Sequence, residues 1–413
     1  MKVERCKGTR DLSPEEMRKF RFIESVFQDC CLKGGYEEVR TPTLEYLHLF
    51  TATGTLTPSM LSKVYSFLDW DGWSGERVVL RPDGTIPVAR FYIDSLADKG
   101  LAKLFYITNI FIFEETGKET RERWQCGTEL LGANSAAADV ELIALALEVL
   151  TRLGLKGIEI RLSHAGLLKA LLAKLELSRD EQHTLFDKMM DGETEVLARI
   201  KESKPELGDA LSLLLNMKGE SSGFLRNLKA LLNHNLADLA PAIDNFIGIA
   251  DLLSALGHDY QIDLSSGRGF EYYTGVIFQL FKDDEKIGSG GRYDDLIPLM
   301  GGKKTPASGF ALYLDHLMKL VTAENLTRHQ PHRILIQPET TTLEAEKECF
   351  SLAGCLREAG YIADFNLGGR KPMSHEWSLI VKCSPSRFVL TDPARHKRFE
   401  LETPADVLAI IGG

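Results

Sequence analysis

What this chain has little of narrows it first. No apolar run in its 413 residues reaches the roughly 18 needed to cross a bilayer as a helix. Residues 1–5 have no apolar stretch behind them, so no secretion signal is expected. The seven cysteines are odd in number and contain no C-x-x-C pair, which argues against a disulfide framework and a zinc site alike. Adjacent Cys30 and Cys31 read as helix filler. A reducing cytosol is the compartment this implies, with no membrane partner, no metal and no cofactor. Positive charge is also short: 49 Lys and Arg face 59 Asp and Glu, a net charge of −10. That balance disfavours a broad face that grips nucleic acid. Low-complexity segments and short internal repeats are missing too.

What is there is an ordinary soluble composition, 44% hydrophobic and 26% charged, long enough for two or three domains. Ser13, Pro14 and Glu15-Glu16 read as a helix start. Phe20, Ile23, Val26 and Phe27 then form one stripe, and Gly34-Gly35 closes the helix. Residues 36–42 are extended and end at Pro42. Residues 64–69 and 78–80 read as strands, 81–85 as a loop and 86–94 as a helix. Residues 104–113 are apolar enough for a strand buried on both faces. Residues 114–123 form a charged hairpin tip, and 125–131 the return strand. Residues 139–153 read as a helix and 157–164 as a strand.

From about residue 166 to 258, Leu, Ala, Lys and Glu dominate, as in a helical insert. The β pattern resumes at 260 and runs to 293. Residues 306–320 start extended and end as a helix. Residues 322–331 are a polar linker, and 332–413 have the pattern of a small α/β domain.

One stretch stands out, Ser265-Ser266-Gly267-Arg268-Gly269-Phe270-Glu271-Tyr272-Tyr273-Thr274-Gly275. Adjacent residues on a strand face opposite ways, so one tyrosine can line a pocket while the other braces it. Taken alone, an aromatic pair on a strand is core more often than it is a ligand site.

The order of motifs changes that weighting. Gly8-Thr9-Arg10-Asp11, Gly35-Tyr36 with Arg40-Thr41-Pro42 and Glu45, Leu80-Arg81-Pro82-Asp83-Gly84-Thr85, and Phe111 with Glu114 come first. Gln125 with Glu129, the Arg268-to-Tyr273 block, Gly290-Gly291-Arg292-Tyr293-Asp294 and Pro306-Ala307-Ser308-Gly309-Phe310 follow. In sequence and in order these resemble the core of a class II aminoacyl-tRNA synthetase, specifically histidyl-tRNA synthetase, over residues 1–325. The resemblance implies an α+β fold, an antiparallel sheet flanked by helices. It implies a helical insert (about 166–258) and a homodimer formed through the strand around Pro42. It also implies a histidine pocket. Asp83 would take the α-amino group with Thr85 and Gln125 nearby. Glu129 and Tyr273 would meet the imidazole, with Tyr272 and Arg268 lining the cavity. Residues 332–413 resemble a truncated anticodon-binding domain.

The sequence departs from the synthetase where ATP is handled. Activation needs cations on the phosphates. The family's arginine positions hold Ile112 and His316 here, and Arg123 stands where an adenine-stacking aromatic is expected. Lys118, Arg121 or Arg123 would have to substitute in a divergent active synthetase, the alternative function. The selective loss, together with Tyr272-Tyr273-Thr274-Gly275, resembles the regulatory subunits of ATP phosphoribosyltransferase. That resemblance implies no catalytic residues. It implies a short-form catalytic subunit as partner in a hetero-oligomer, a role in the first step of histidine biosynthesis, and feedback by histidine. tRNA is not an expected ligand.

Overall fold

The computed structural model describes residues 3–53, 56, 61–69, 75–113, 120–175, 177, 181–182, 185, 188, 194–216, 218–232, 239–264, 273–327, 333–366, 379–385, 387–393 and 395–412. Internal contacts divide the chain into two units, residues 1–325 and 326–413.

The first unit opens with the helix Pro14–Lys33. Ser13 Oγ accepts the Glu16 N–H while the Glu16 carboxylate accepts the Ser13 N–H, a capping box that satisfies two otherwise orphan donors. The buried side is Phe20, Ile23, Phe27, Cys30 and Cys31. Burial pushes the Cys30 thiol up to about 11 and the Cys31 thiol up to about 12, so both are core atoms rather than nucleophiles.

Strands follow in chain order: β1 (Glu37–Glu38), β2 (Leu44–Tyr46), β3 (Ser66–Leu68), β4 (Arg77–Leu80), β5 (Ala102–Phe111), β6 (Glu122–Leu131), β7 (Glu159–His164), β8 (Lys218–Gly219), β9 (Gln261–Asp263), β10 (Val276–Lys282), β11 (Glu285–Arg292) and β12 (Ala307–Tyr313). Nine of them form one sheet in the order β1-β5-β6-β12-β11-β10-β7-β9-β8. From β5 across to β7 every pairing is antiparallel. The pairs β1/β5 and β7/β9, toward the edges, are parallel. Strands β2, β4 and β3 form a separate small sheet.

Register decides which residues share a face, because residues directly opposite in a pairing point the same way. One row runs Phe105, Thr128, Phe310, Gly290, Phe278. This face meets the helix Pro14–Lys33. Phe27 lies edge-on to Phe105 and Phe310, and Cys31 Sγ is 3.8 Å from Thr128 Oγ1. The next row, Leu104, Glu129, Gly309, Gly291, lies on the opposite face, where the helix Thr85–Ser95 and its Ile86, Val88, Ala89 and Tyr92 are buried with Leu104 and Ala307. The double burial expected of β5 holds only in part: Ala102, Leu104, Tyr106, Thr108 and Ile110 are buried on one face, whereas on the other only Phe105 is buried and Lys103, Ile107, Asn109 and Phe111 are half-buried.

Between β7 and β9 the chain forms the helices Ala165–Ala173, Thr194–Ser203, Pro205–Asn216, Ser222–Leu232 and Ala240–Ala255. The helix Ala240–Ala255 contacts the helix Ala136–Arg152, and β8 adds itself to the sheet beside β9. Among the described residues, no helix is long and apolar enough to cross a membrane.

In the second unit, β13 (Arg333–Pro338), β14 (Ile362–Phe365), β15 (Leu379–Ser384), β16 (Arg387–Asp392) and β17 (Lys397–Leu401) form a sheet ordered β14-β13-β15-β16-β17. Helices Leu343–Glu358 and Pro404–Gly412 supply Leu352, Leu356 and Val407 to a core with Ile334, Ile336, Val381 and Phe388. The sequence reading missed β17 and the last helix. The alternation in Lys397-Arg398-Phe399-Glu400-Leu401 is short and mostly charged, so its apolar face is thin.

Candidate functional site

The site is built on the Glu129 row of the sheet. Alternation puts Tyr106, Gly127 and Ala311 on the same face two residues along, and Thr108, Gln125 and Tyr313 two further. Three glycines clear its floor. A Cβ at Gly127 would run into the Tyr106 ring. One at Gly309 would meet the Glu129 carboxylate, and one at Gly291 the Tyr273 ring and the Val276 carbonyl. These backbones come close to large polar side chains, and only glycine leaves the room.

Glu129 is the centre. Only 1% of it is exposed, yet its bonds come from neutral hydroxyls. Tyr106 donates to Oε1 at 3.1 Å, and Tyr293 donates a short bond to Oε2. Burial pushes the carboxyl up to about 8. Bonds from Tyr293, Thr85 and Tyr106 oppose the rise, and nearby Asp83 adds to it. The phenol of Tyr106 is itself raised, first by burial and then by the two acids. Thr85, the first residue of the helix Thr85–Ser95, has Oγ1 3.4 Å from Tyr106 Oη.

Asp83 has a second task that the sequence did not show. Its Oδ1 accepts the Ile86 N–H at 2.9 Å, so it caps the helix Thr85–Ser95. Burial raises its carboxyl while the backbone N–H groups of Ile86, Thr85 and Gly84 pull it back. Gln125 Oε1 is a buried oxygen with no partner among the described residues. It stands opposite Tyr313, whose Oη is 2.7 Å from Ser289 Oγ. Tyr273 is partly buried against the core beside Tyr106 and Tyr293, and burial raises its phenol. Of the sequence-predicted pocket residues, Asp83, Thr85, Gln125, Glu129 and Tyr273 therefore converge. Arg268 and Tyr272 lie outside the described residues.

Two pocket residues were missed. Tyr293 lies within the Gly290-to-Asp294 motif, which marks the resemblance without assigning a role to any one of its residues. Arg292 is buried and bonds Asp139 through Nε at 3.2 Å and Nη2 at 2.8 Å, and Asp294 and the Ala133 carbonyl through Nη1. It joins β11 to the helix Ala136–Arg152, while Tyr293 reaches Glu129. Tyr106 sits in an apolar strand, and only its register against Gly127 and Glu129 shows what it faces.

The nucleotide side differs. Ile112 is half-buried and offers a backbone N–H, bonded to the Arg121 carbonyl, but no side-chain donor. His316 Nδ1 lies 2.7 Å from Glu285 Oε1. Lys319 bonds the same oxygen at 3.1 Å. Arg121 is committed elsewhere. It donates to Tyr65 Oη at 3.2 Å, lies 4.2 Å from the centre of the Phe113 ring, and fills the space beside Gly8. Arg123 Nε donates to the Thr120 carbonyl at 3.1 Å. Lys118 lies outside the described residues. Arg10 pairs with Asp315, whose other oxygen accepts the Trp124 N–H at 2.6 Å, so the N-terminal motif braces the helix Leu314–Leu320.

A sheet of this order, with a carboxyl–phenol cluster on the face that the helix Thr85–Ser95 covers, defines the class: a histidyl-tRNA synthetase-like protein of class II architecture. The histidyl-tRNA synthetase family profile matches residues 8–317. The ATP phosphoribosyltransferase regulatory subunit of Dehalococcoides mccartyi is 51% identical over 411 residues, 100% of this chain and 99% of that protein. A histidine–tRNA ligase of Methanocaldococcus jannaschii is 35% identical over 382 residues, covering 88% and 86%. A Bacillus halodurans structure described as an ATP phosphoribosyltransferase regulatory subunit/histidyl-tRNA synthetase superposes with a TM-score of 0.78 at 25% identity, covering 93% of this chain and 98% of that one. The chain belongs to the family of ATP phosphoribosyltransferase regulatory subunits.

Proposed function

We propose that the chain is the non-catalytic regulatory subunit of an ATP phosphoribosyltransferase, serving the first step of histidine biosynthesis, and that its retained pocket takes histidine as the feedback effector. One observation carries the reading. The acids and phenols of an amino-acid site are assembled, while the two positions that would steady a reacting triphosphate hold an aliphatic side chain and a histidine tied to Glu285. Preorganised cations supply about 10²–10³ each in such chemistry, so losing two leaves no useful activation.

The finer parts extend this. Glu129 with Tyr106, Tyr293 and Tyr273 would hold the imidazole; Asp83, Thr85 and Gln125 would hold the amino end. Arg268 and Tyr272 belong to the same proposal on sequence grounds. The partner is a short-form catalytic subunit that lacks its own regulatory domain. The synthetase-like core is a homodimer. Leu44, Tyr46 and Phe67 support it, an exposed apolar set on one face of the small sheet just after Pro42. Residues 332–413 are a shortened relative of an anticodon-binding domain with tRNA not proposed as ligand, and the compartment is the cytoplasm.

The test uses purified protein with histidine, ATP and pyrophosphate. No exchange of pyrophosphate into ATP is expected, together with activation of a short-form phosphoribosyltransferase. Formation of histidyl-adenylate would establish the alternative, a divergent active synthetase. The bonds of Arg121 to Tyr65 and of Arg123 to the Thr120 carbonyl support the regulatory reading over that alternative.

A further inference from the structure

The charge inventory around Glu129 is unusual for a buried carboxyl. From β5 comes Tyr106, from the residue after β11 Tyr293, and from the start of the helix Thr85–Ser95 Thr85 and a second acid, Asp83. Strand β12 contributes the bare Gly309 and, further along, Tyr313. Tyr273 is a third phenol of the cluster. Arg292, the described arginine beside Tyr293 in sequence, is turned away to Asp139 and Asp294. Among the described residues, then, Glu129 meets neutral hydroxyls, Asp83 meets backbone N–H groups, and no cation bonds Glu129. A carboxyl group has about four lone-pair sites, and the two phenols and the Thr85 hydroxyl take three of them. Room remains for one further partner, a ring nitrogen of the ligand.

Resting on the reading that this pocket takes histidine, we infer that the imidazole of the ligand and the carboxyl of Glu129 hold a single proton between them, so that histidine binds as a one-proton pair. The chemistry is a simple transfer. The Glu129 O–H bond gives up its proton to the free ring nitrogen, an N–H bond forms, and the electron pair stays on the carboxylate. The bound pair is then imidazolium and carboxylate, already bonded to Tyr106 and Tyr293. Which atom carries the proton at any instant belongs to the pair and not to either group.

The consequence is a pH window. In the empty site the carboxyl keeps its proton up to about 8. A free imidazole takes one below about 6.5. Between these limits the separated partners already hold one proton in total, and binding exchanges none with solvent. Below the window they hold two and must release one. Above it they hold none and must take one up. Affinity is therefore flat inside the window and falls about tenfold one pH unit beyond either edge.

The test is calorimetric titration of the full chain with L-histidine at about pH 5.5, 7.2 and 9, each in two buffers of different ionisation enthalpy. Expected are proton release at the lowest pH, almost none in the middle and uptake at the highest, with binding about tenfold weaker at both ends. Glu129→Gln should bind more weakly and lose the alkaline uptake, except for the part due to the α-ammonium of the ligand. Because the unmodified chain gives all three proton counts, the inference stands or falls even if that variant does not fold. Binding with one constant proton count across the range would overturn the shared proton and leave the pocket assignment intact. No histidine binding at the middle pH would overturn the pocket assignment and the shared proton with it.

Discussion

Glu129 shows how a ligand site is stored at a cost to the empty fold. An ordinary glutamate in an unfolded chain ionises near 4.5, whereas burial holds this one protonated up to about 8. Below 4.5 both states keep the proton. Between 4.5 and 8 only the folded state does, so rising pH draws the equilibrium toward the unfolded chain. Stability that is fully present at acid pH is thus lost across that window, in total on the order of 5 kcal/mol. Glu129→Gln is expected to flatten this slope and raise the midpoint of thermal unfolding at pH 8, measured by calorimetry without histidine. A steeper slope in the variant would mean that the carboxyl is ionised in the fold. The shift and its cause are not legible at residue 129 in the sequence, where the resemblance marks a pocket acid without naming the phenols around it. It follows from the pairing of β6 with β5 and β12, which buries the group between two phenols.

At the scale of elements, the strands do two jobs with adjacent residues. On β11 the alternation sends Gly290 to the phenylalanine core and Gly291 to the pocket floor. On β12 Gly309 faces Glu129 and Phe310 faces Phe27. Gly309→Ala places a methyl group against the Glu129 carboxylate and the Thr128 carbonyl. Such overpacking costs about 1–3 kcal/mol and displaces the carboxylate. Histidine binding should fall at least about tenfold, the change that corresponds to 1.4 kcal/mol, as read by calorimetry. The other element-level joint is the buried pair of Arg292 and Asp139, both nearly inaccessible to solvent. Burial raises the Asp139 carboxyl to about 6 against the pull of Arg292. Arg292→Met strands that carboxyl and is expected to cost about 3–5 kcal/mol in urea unfolding. An arginine beside two glycines invites a functional reading, and only its distance to a helix more than a hundred residues earlier reveals a structural one.

At the scale of the whole molecule, the class II synthetase-like architecture persists while the demands on it have changed. The pocket needs a rigid sheet, and that requirement survives. At the two positions where the synthetase resemblance expects arginines, Ile112 and His316 contact local neighbours. The small sheet leaves Leu44, Tyr46 and Phe67 open on one face. Tyr46→Glu sets a charge in that face and should convert a dimer to monomers by light scattering, with the secondary structure unchanged by circular dichroism. If the unmodified chain is already monomeric, the dimer proposal is wrong.

Motif order along the sequence was enough for the architecture and the helical insert, and it singled out Asp83, Thr85, Gln125, Glu129 and Tyr273 together with the positions of Ile112 and His316. Those features depend on residue type and spacing, which a linear string carries directly. Tertiary structure alone decided that Tyr106 and Tyr293 hold Glu129, that Asp83 also caps a helix, and that Arg292 and Arg121 are spent on the fold. Each of these is a contact between distant segments, fixed by strand register and burial, and neither quantity is written at any single position of the chain.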